Sequence, residues 1–136
     1  MEVIIDSNFL FRVLISGGCI NDIIFSPKIS LFTPNKLFEE FSRHKEELIR
    51  KSRLSEPDFD FVSSVVLARI SIVPELDFAP YLPRAKELLK GHDKDEAFVA
   101  AALFKGCKIW AYEARLFEIG LAVSTKEISS KLSKEA

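Results

Sequence analysis

Five short apolar runs, Val3–Ile5, Ser30–Thr33, Ile70–Val73, Lys108–Tyr112 and Leu121–Ser124, constrain the fold of this chain more than any other feature. Each is a continuous burst with little polar alternation, the pattern of a strand covered on both faces of a parallel sheet. Between the runs lie helical stretches at about 8–16 and 19–26, 35–52 and 56–69, 80–90 with 94–105, and 125–133. Strands alternating with helices in this way predict an α/β sandwich with helices on both faces of the sheet. Pro34, Pro57, Pro74 and Pro83 fall at plausible element starts, and Ser16-Gly17-Gly18 breaks the first helical stretch. There is no repeat, low-complexity segment or linker. A chain of 136 residues is long enough for one core and short for two, so residues 1–136 read as a single domain.

Composition narrows the class further. The chain is 48% hydrophobic and 29% charged, as in soluble globular proteins. Twelve Phe against one Trp and two Tyr predict a core with few polar handles. No apolar run approaches the roughly 18 residues that span a bilayer. The opening Met1-Glu2-Val3-Ile4-Ile5-Asp6 has an acid where a signal peptide has Lys or Arg, so a cytoplasmic protein is expected. Cys19 and Cys107 stand apart from each other and from any His cluster, and read as buried, reduced thiols. The formal net charge of −1 does not decide about nucleic acid, because an acidic site and a basic rim can cancel.

In an open parallel sheet, sites form beyond the carboxyl ends of the strands, and four acids fall near element ends. Asp6 closes the first strand. A carboxylate there needs a metal, a cation or backbone donors, because an isolated buried charge is costly. Capping of the next helix by Asp6 or Ser7 would also account for it. Glu40 lies on the helix that starts near Pro34, about 60° off the edge of an apolar stripe of Leu37, Phe38, Phe41, Leu48 and Ile49. His44 falls on the same side one turn later and reads as a hydrogen-bonding residue rather than a base. In Asp93-Lys94-Asp95-Glu96-Ala97-Phe98, the spacing of Asp93 and Glu96 fits a helix cap with its capping-box partner. Asp95 has no such role, and its helical phase puts it on the buried side, with Phe98, Val99 and Ala102. Glu113 follows the fourth run, either as a second strand-end acid or as the helix-start acid of Ala114–Glu118. Four acids without a His or Cys cluster favour a hard cation such as Mg²⁺ or Mn²⁺, which suits phosphoryl chemistry.

The order of these residues resembles the PIN-domain family. The corresponding pieces are Asp6-Ser7-Asn8, then Phe38-Glu39-Glu40-Phe41, then Asp95-Glu96-Ala97-Phe98-Val99-Ala100-Ala101-Ala102, then Tyr112-Glu113 after the fourth strand. The resemblance runs from residue 2 to about 124, and Pro34–Lys45 is similar to an archaeal-type subgroup. It implies a three-layer α/β/α sandwich with a parallel sheet of about five strands in the order 3-2-1-4-5. In that order the first and fourth strands are neighbours, so Asp6 and Glu113 can converge. It also implies an endoribonuclease that uses metal-activated water, with Asp6, Glu40, Asp95 and Glu113 holding one or two Mg²⁺ or Mn²⁺ ions. Toxin-type members have a partner antitoxin, and many members form homodimers. The chain departs from the family at the fourth site. Ala111-Tyr112-Glu113 stands where a Ser or Thr, one residue and an Asp are usual, and Glu reaches roughly 1.5 Å further than Asp.

For substrate, Asn8, Arg12 and Lys94 lie nearest the acids in sequence. Residues 28–53 also carry seven Lys and Arg against four acids, a patch that suits phosphate contact or simple solvation. The alternative function is a catalytically weakened PIN-like scaffold that binds RNA or a protein partner, with the altered fourth motif as its support. A phosphoacceptor response-regulator domain fits poorly, since Asp6 has no paired acid, Pro74 follows Val73, and Thr125 precedes Lys126.

Overall fold

The computed structural model describes residues 1–16 and 20–134, with side chains except at 20, 21 and 93. The strands are β1 (Glu2–Ile5), β2 (Ser30–Pro34), β3 (Ile70–Val73), β4 (Lys108–Trp110) and β5 (Ala122–Val123). They form one sheet in the order β3-β2-β1-β4-β5, and every pair is parallel. Helices α1 (Ser7–Ser16) and α2 (Ile20–Ile24) connect β1 to β2, and α3 (Lys36–Ser52) and α4 (Glu56–Leu67) connect β2 to β3. Helices α5 (Glu75–Phe78), α6 (Leu82–Leu89) and α7 (Glu96–Lys105) return the chain past β2 and β1 to β4. Helix α8 (Ala114–Glu118) leads to β5, and α9 (Thr125–Lys134) follows it. Right-handed crossovers put the outward-stepping helices on one face of the sheet and the returning ones on the other. The contacts agree: α1 packs on α3, while α7 lies against β1, β2, β4 and α6. The architecture is the expected α/β/α sandwich.

The centre of the sheet carries the expected burial. Val3, Ile4, Ile5, Ile109 and Trp110 are all essentially inaccessible. Helix α7 is buried continuously from Phe98 to Ala102, which its run of alanines permits by letting the backbone approach the sheet. Two polar handles of the core are satisfied. The Trp110 indole N–H donates to Thr125 Oγ1 at 2.9 Å, and Thr33 Oγ1 donates to the Ile5 carbonyl at 2.9 Å.

The edges depart from the sequence reading. Burial on both faces fails at the outer strand β3, where Ser71 and Ile72 are exposed. Pro34 closes β2 instead of opening α3, whose N-cap position is Asn35. The expected helix at 80–90 is preceded by α5 and a 3-10 turn over Ala79–Tyr81. Pro80 and Pro83, with fixed φ and no N–H, punctuate that stretch. Helix α7 starts at Glu96, because Asp93–Asp95 wind as a tighter 3-10 turn. Glu96 therefore opens the helix, and its carboxylate lies 3.8 Å from Lys86 Nζ; the Asp93 side chain and with it the expected capping box, the Gly17-Gly18 break and Cys19 fall outside the described residues. Cys107 is a free thiol, half-buried, and burial pushes it up to about 11, so it stays protonated at neutral pH. No helix among the described residues is long and apolar enough to cross a membrane.

Candidate active site

Strands β1 and β4 pair with Ile5 opposite Trp110, so both chains leave the sheet at the same level and edge. Asp6 is the first residue beyond β1 and is 2% exposed. Its two carboxylate oxygens have different surroundings. Oδ1 accepts the Phe9 N–H at 2.8 Å, capping α1 as one sequence reading expected. Oδ2 is buried and has no hydrogen-bond partner among the described residues. Burial pushes this carboxyl up to about 7 against the opposing effect of the Phe9 N–H, and the negative charges of Glu113, Asp95 and Glu40 add to the rise.

The other acids surround that unpartnered oxygen. Packing of α3 on α1 brings in Glu40, and Ser7 Oγ donates to its Oε1 at 3.0 Å. Asp95 occupies the N-cap position of α7 but makes no capping bond. It is 9% exposed, so the inward direction expected from helical phase holds. Its pKa rises to about 6, first through burial and then through the charge of Glu113 and a hydrogen bond shared with that residue; Lys36 and Lys94 pull it back. Glu113 sits at the N-cap position of α8, also without a capping bond. It turns instead toward the acids and accepts the Asn8 side-chain amide.

The structure thus gathers all four candidate acids. Asp6, Glu40 and Asp95 line one small pocket with Ser7, Asn8, Lys94 and Phe98, and Glu113 joins through Asn8 and Asp95. Of the candidate substrate residues, Asn8 and Lys94 line the pocket itself, while Arg12 lies one turn further along α1, with its guanidinium 4.5 Å from the Tyr112 ring centre. His44 is outside the acidic pocket, edge-on to Phe11 and 3.7 Å from Glu47. The basic stretch 28–53 disperses: Lys45 pairs with Asp60 and Lys51 with Glu47, and only Lys36 acts on the acids. Sequence reasoning placed Lys36 only within the wider basic stretch and missed the hydrogen bond of Ser7 to Glu40. Lys36 donates to the Lys94 carbonyl and lies over the Phe98 ring at 5.9 Å. Its position two residues beyond the end of β2, at the same sheet edge, was the available signal.

Among the described residues, no three His, Cys, Asp or Glu side chains are already spaced to grip one ion. The donor chemistry nevertheless fits a hard divalent cation. The donors are all oxygen, one buried carboxylate oxygen is unused, and burial, helped by neighbouring negative charge, raises Asp6 to about 7 and Asp95 to about 6, so these two carboxyls hold protons near neutral pH. A cation would replace those protons.

No curated protein matches the chain in a sequence search. A family model described as PIN domain matches residues 4–133, nearly the full length. The chain belongs to the PIN-domain family, whose fold is generally that of a nuclease.

Proposed function

We propose that this chain is a metal-dependent endoribonuclease of the cytoplasm, and the buried, unpartnered Asp6 Oδ2 among three further carboxylates carries that reading. Asp6, Glu40, Asp95 and Glu113 are the residues that would hold Mg²⁺ or Mn²⁺. Once bound, such an ion supplies charge neutralisation, polarisation of the phosphodiester and a lowered pKa for an attacking water. The chain's own groups do the positioning. Ser7 orients Glu40, Asn8 orients Glu113, and the Phe9 N–H leaves Oδ2 as the free oxygen of Asp6. Lys94 and Lys36 bring positive charge to the Asp95 side, where a phosphate would otherwise meet only acids. Asn8, Arg12 and Lys94 are the substrate contacts. A toxin-type role, an antitoxin partner and a homodimer belong to the same reading on family grounds; a small antitoxin-like gene beside this one tests the first two, and sedimentation the third.

The test is cleavage of single-stranded RNA with and without Mn²⁺. Activity should vanish in EDTA and fall by at least roughly 100-fold in Asp6→Asn and Asp95→Asn. Cleavage that persists in EDTA and in both variants removes the proposal.

One observation favours a second reading, a weakened scaffold that binds RNA or a protein. No trio of described acid, His or Cys side chains is spaced for an ion. Calorimetric Mn²⁺ titration separates the two. Heat in the wild type that disappears in Asp6→Asn supports the enzyme, and no heat in either supports the scaffold.

A further inference from the structure

An aromatic ladder climbs from the core to the rim of the acidic pocket. Trp110, fully buried and tied to Thr125, lies 4.2 Å from the ring of Phe9. Phe9 stacks on Tyr112 at 5.7 Å, with ring planes 19° apart. Tyr112 is 39% exposed, and the Arg12 guanidinium lies 4.5 Å from its ring centre. Arg12 belongs to none of the ion pairs formed among the described residues. Its place is close to the acids, since Arg12 follows Asn8 by one helical turn and Asn8 donates to Glu113, the residue after Tyr112.

Physical chemistry gives this arrangement a purpose. An exposed Arg samples many rotamers, and a bound ligand must immobilise it. A guanidinium held against a ring by cation–π attraction has already lost part of that freedom. Its N–H groups radiate in the plane, where they match two oxygens of a phosphate. Phe9 and Arg12 both lie against the Tyr112 ring, and the guanidinium is the cationic group there that a phosphate would meet. Glu113, the residue after Tyr112, accepts the Asn8 side-chain amide.

We propose that Arg12, held by Tyr112 as its positioning residue, is a preset clamp for a backbone phosphate of the RNA strand beside the acidic pocket. The inference rests on the ribonuclease reading for its ligand, and it adds that the contact is to phosphate and therefore blind to base identity. The test uses the full chain in EDTA, so that no cleavage occurs, with fluorescein-labelled oligouridylate and oligoadenylate followed by anisotropy across a salt series. Arg12→Gln should bind both oligonucleotides roughly tenfold more weakly, with the salt slope reduced by about one. Tyr112→Leu should show the same loss and Tyr112→Phe should restore wild-type binding, while thermal melts confirm that all variants are folded. Wild-type affinity and slope in Arg12→Gln, a loss confined to one oligonucleotide, or no wild-type binding each overturn the clamp. Unchanged binding in Tyr112→Leu overturns the positioning role and leaves Tyr112 as a brace between α1 and β4. Cleavage by the wild type in Mn²⁺ is scored separately, so a failed nuclease and a failed clamp give different results.

Discussion

At Asp6, a single side chain serves both stability and the site, through different oxygens. Oδ1 caps α1 and Oδ2 has no partner. The carboxyl titrates near 7 in the folded protein against 3.8 as its ordinary value. Between those values the folded state holds more protons than the unfolded one, so this group's contribution to stability is present at low pH and is lost as pH rises through about 7. The ceiling on that loss is about 4 kcal/mol. Asp6→Asn keeps an oxygen for the Phe9 N–H and removes the charge. In EDTA it should therefore melt higher than the wild type at pH 8 and by a clearly smaller margin at pH 5, as thermal unfolding at the two pH values will show. A variant that melts lower at pH 8 would show that the buried carboxylate is not a liability. Gain of stability with loss of activity is the expected trade at a functional site.

Among the elements, α4 shows how a helix divides its phenylalanines. Phe59 is fully buried and stacks on Phe41 of α3 at 6.1 Å, whereas Phe61 is 62% exposed. Phe59→Ala should cost about 3–5 kcal/mol in urea unfolding, and Phe61→Ser should stay within about 0.5 kcal/mol. Equal effects would mean that α4 is rotated about its axis. Residues two apart on a helix point to nearly opposite sides, but α4 is apolar on both, so periodicity alone did not say which side faces the core. Capping of α4 is conventional, with Ser55 Oγ accepting the Asp58 N–H at 3.2 Å and Pro57 in the first turn. At α7 the local pattern misled. Asp93 and Glu96 have capping-box spacing, yet the 3-10 turn moves the helix start and leaves Asp95 at the N-cap position without a capping bond. A shift of two or three residues at a helix end is a small change in backbone energy, and tertiary contacts decide it.

For the whole molecule, the mutual repulsion of the acids predicts a coupling between ion binding and stability. At a hundredfold excess over its Kd, Mn²⁺ should add about 2.7 kcal/mol, or roughly 10 °C in the melting temperature of a chain this size. Because the ion displaces protons from Asp6 and Asp95, which titrate near 7 and 6, the shift should grow as pH rises from 6 to 8. It should be absent in Asp6→Asn. A melting temperature that ignores Mn²⁺ at every pH would count against any site at these residues. The sequence by itself determined the parallel sheet, since unbroken apolar runs separated by helical stretches have few other ways to be buried. It also marked Asp6 and Asp95, a strand-end carboxylate and an acid whose helical phase faces the core. Only the tertiary structure decided the rest: that Asp6 spends one oxygen and leaves the other unpartnered, that the charge of Glu113 reaches Asp95, that Lys36 offsets part of the rise at Asp95, and that the Arg12 guanidinium lies over the Tyr112 ring. Each of these depends on which strand ends are neighbours and on angstrom-scale distances across the sheet edge, and periodicity along a chain carries no information about either.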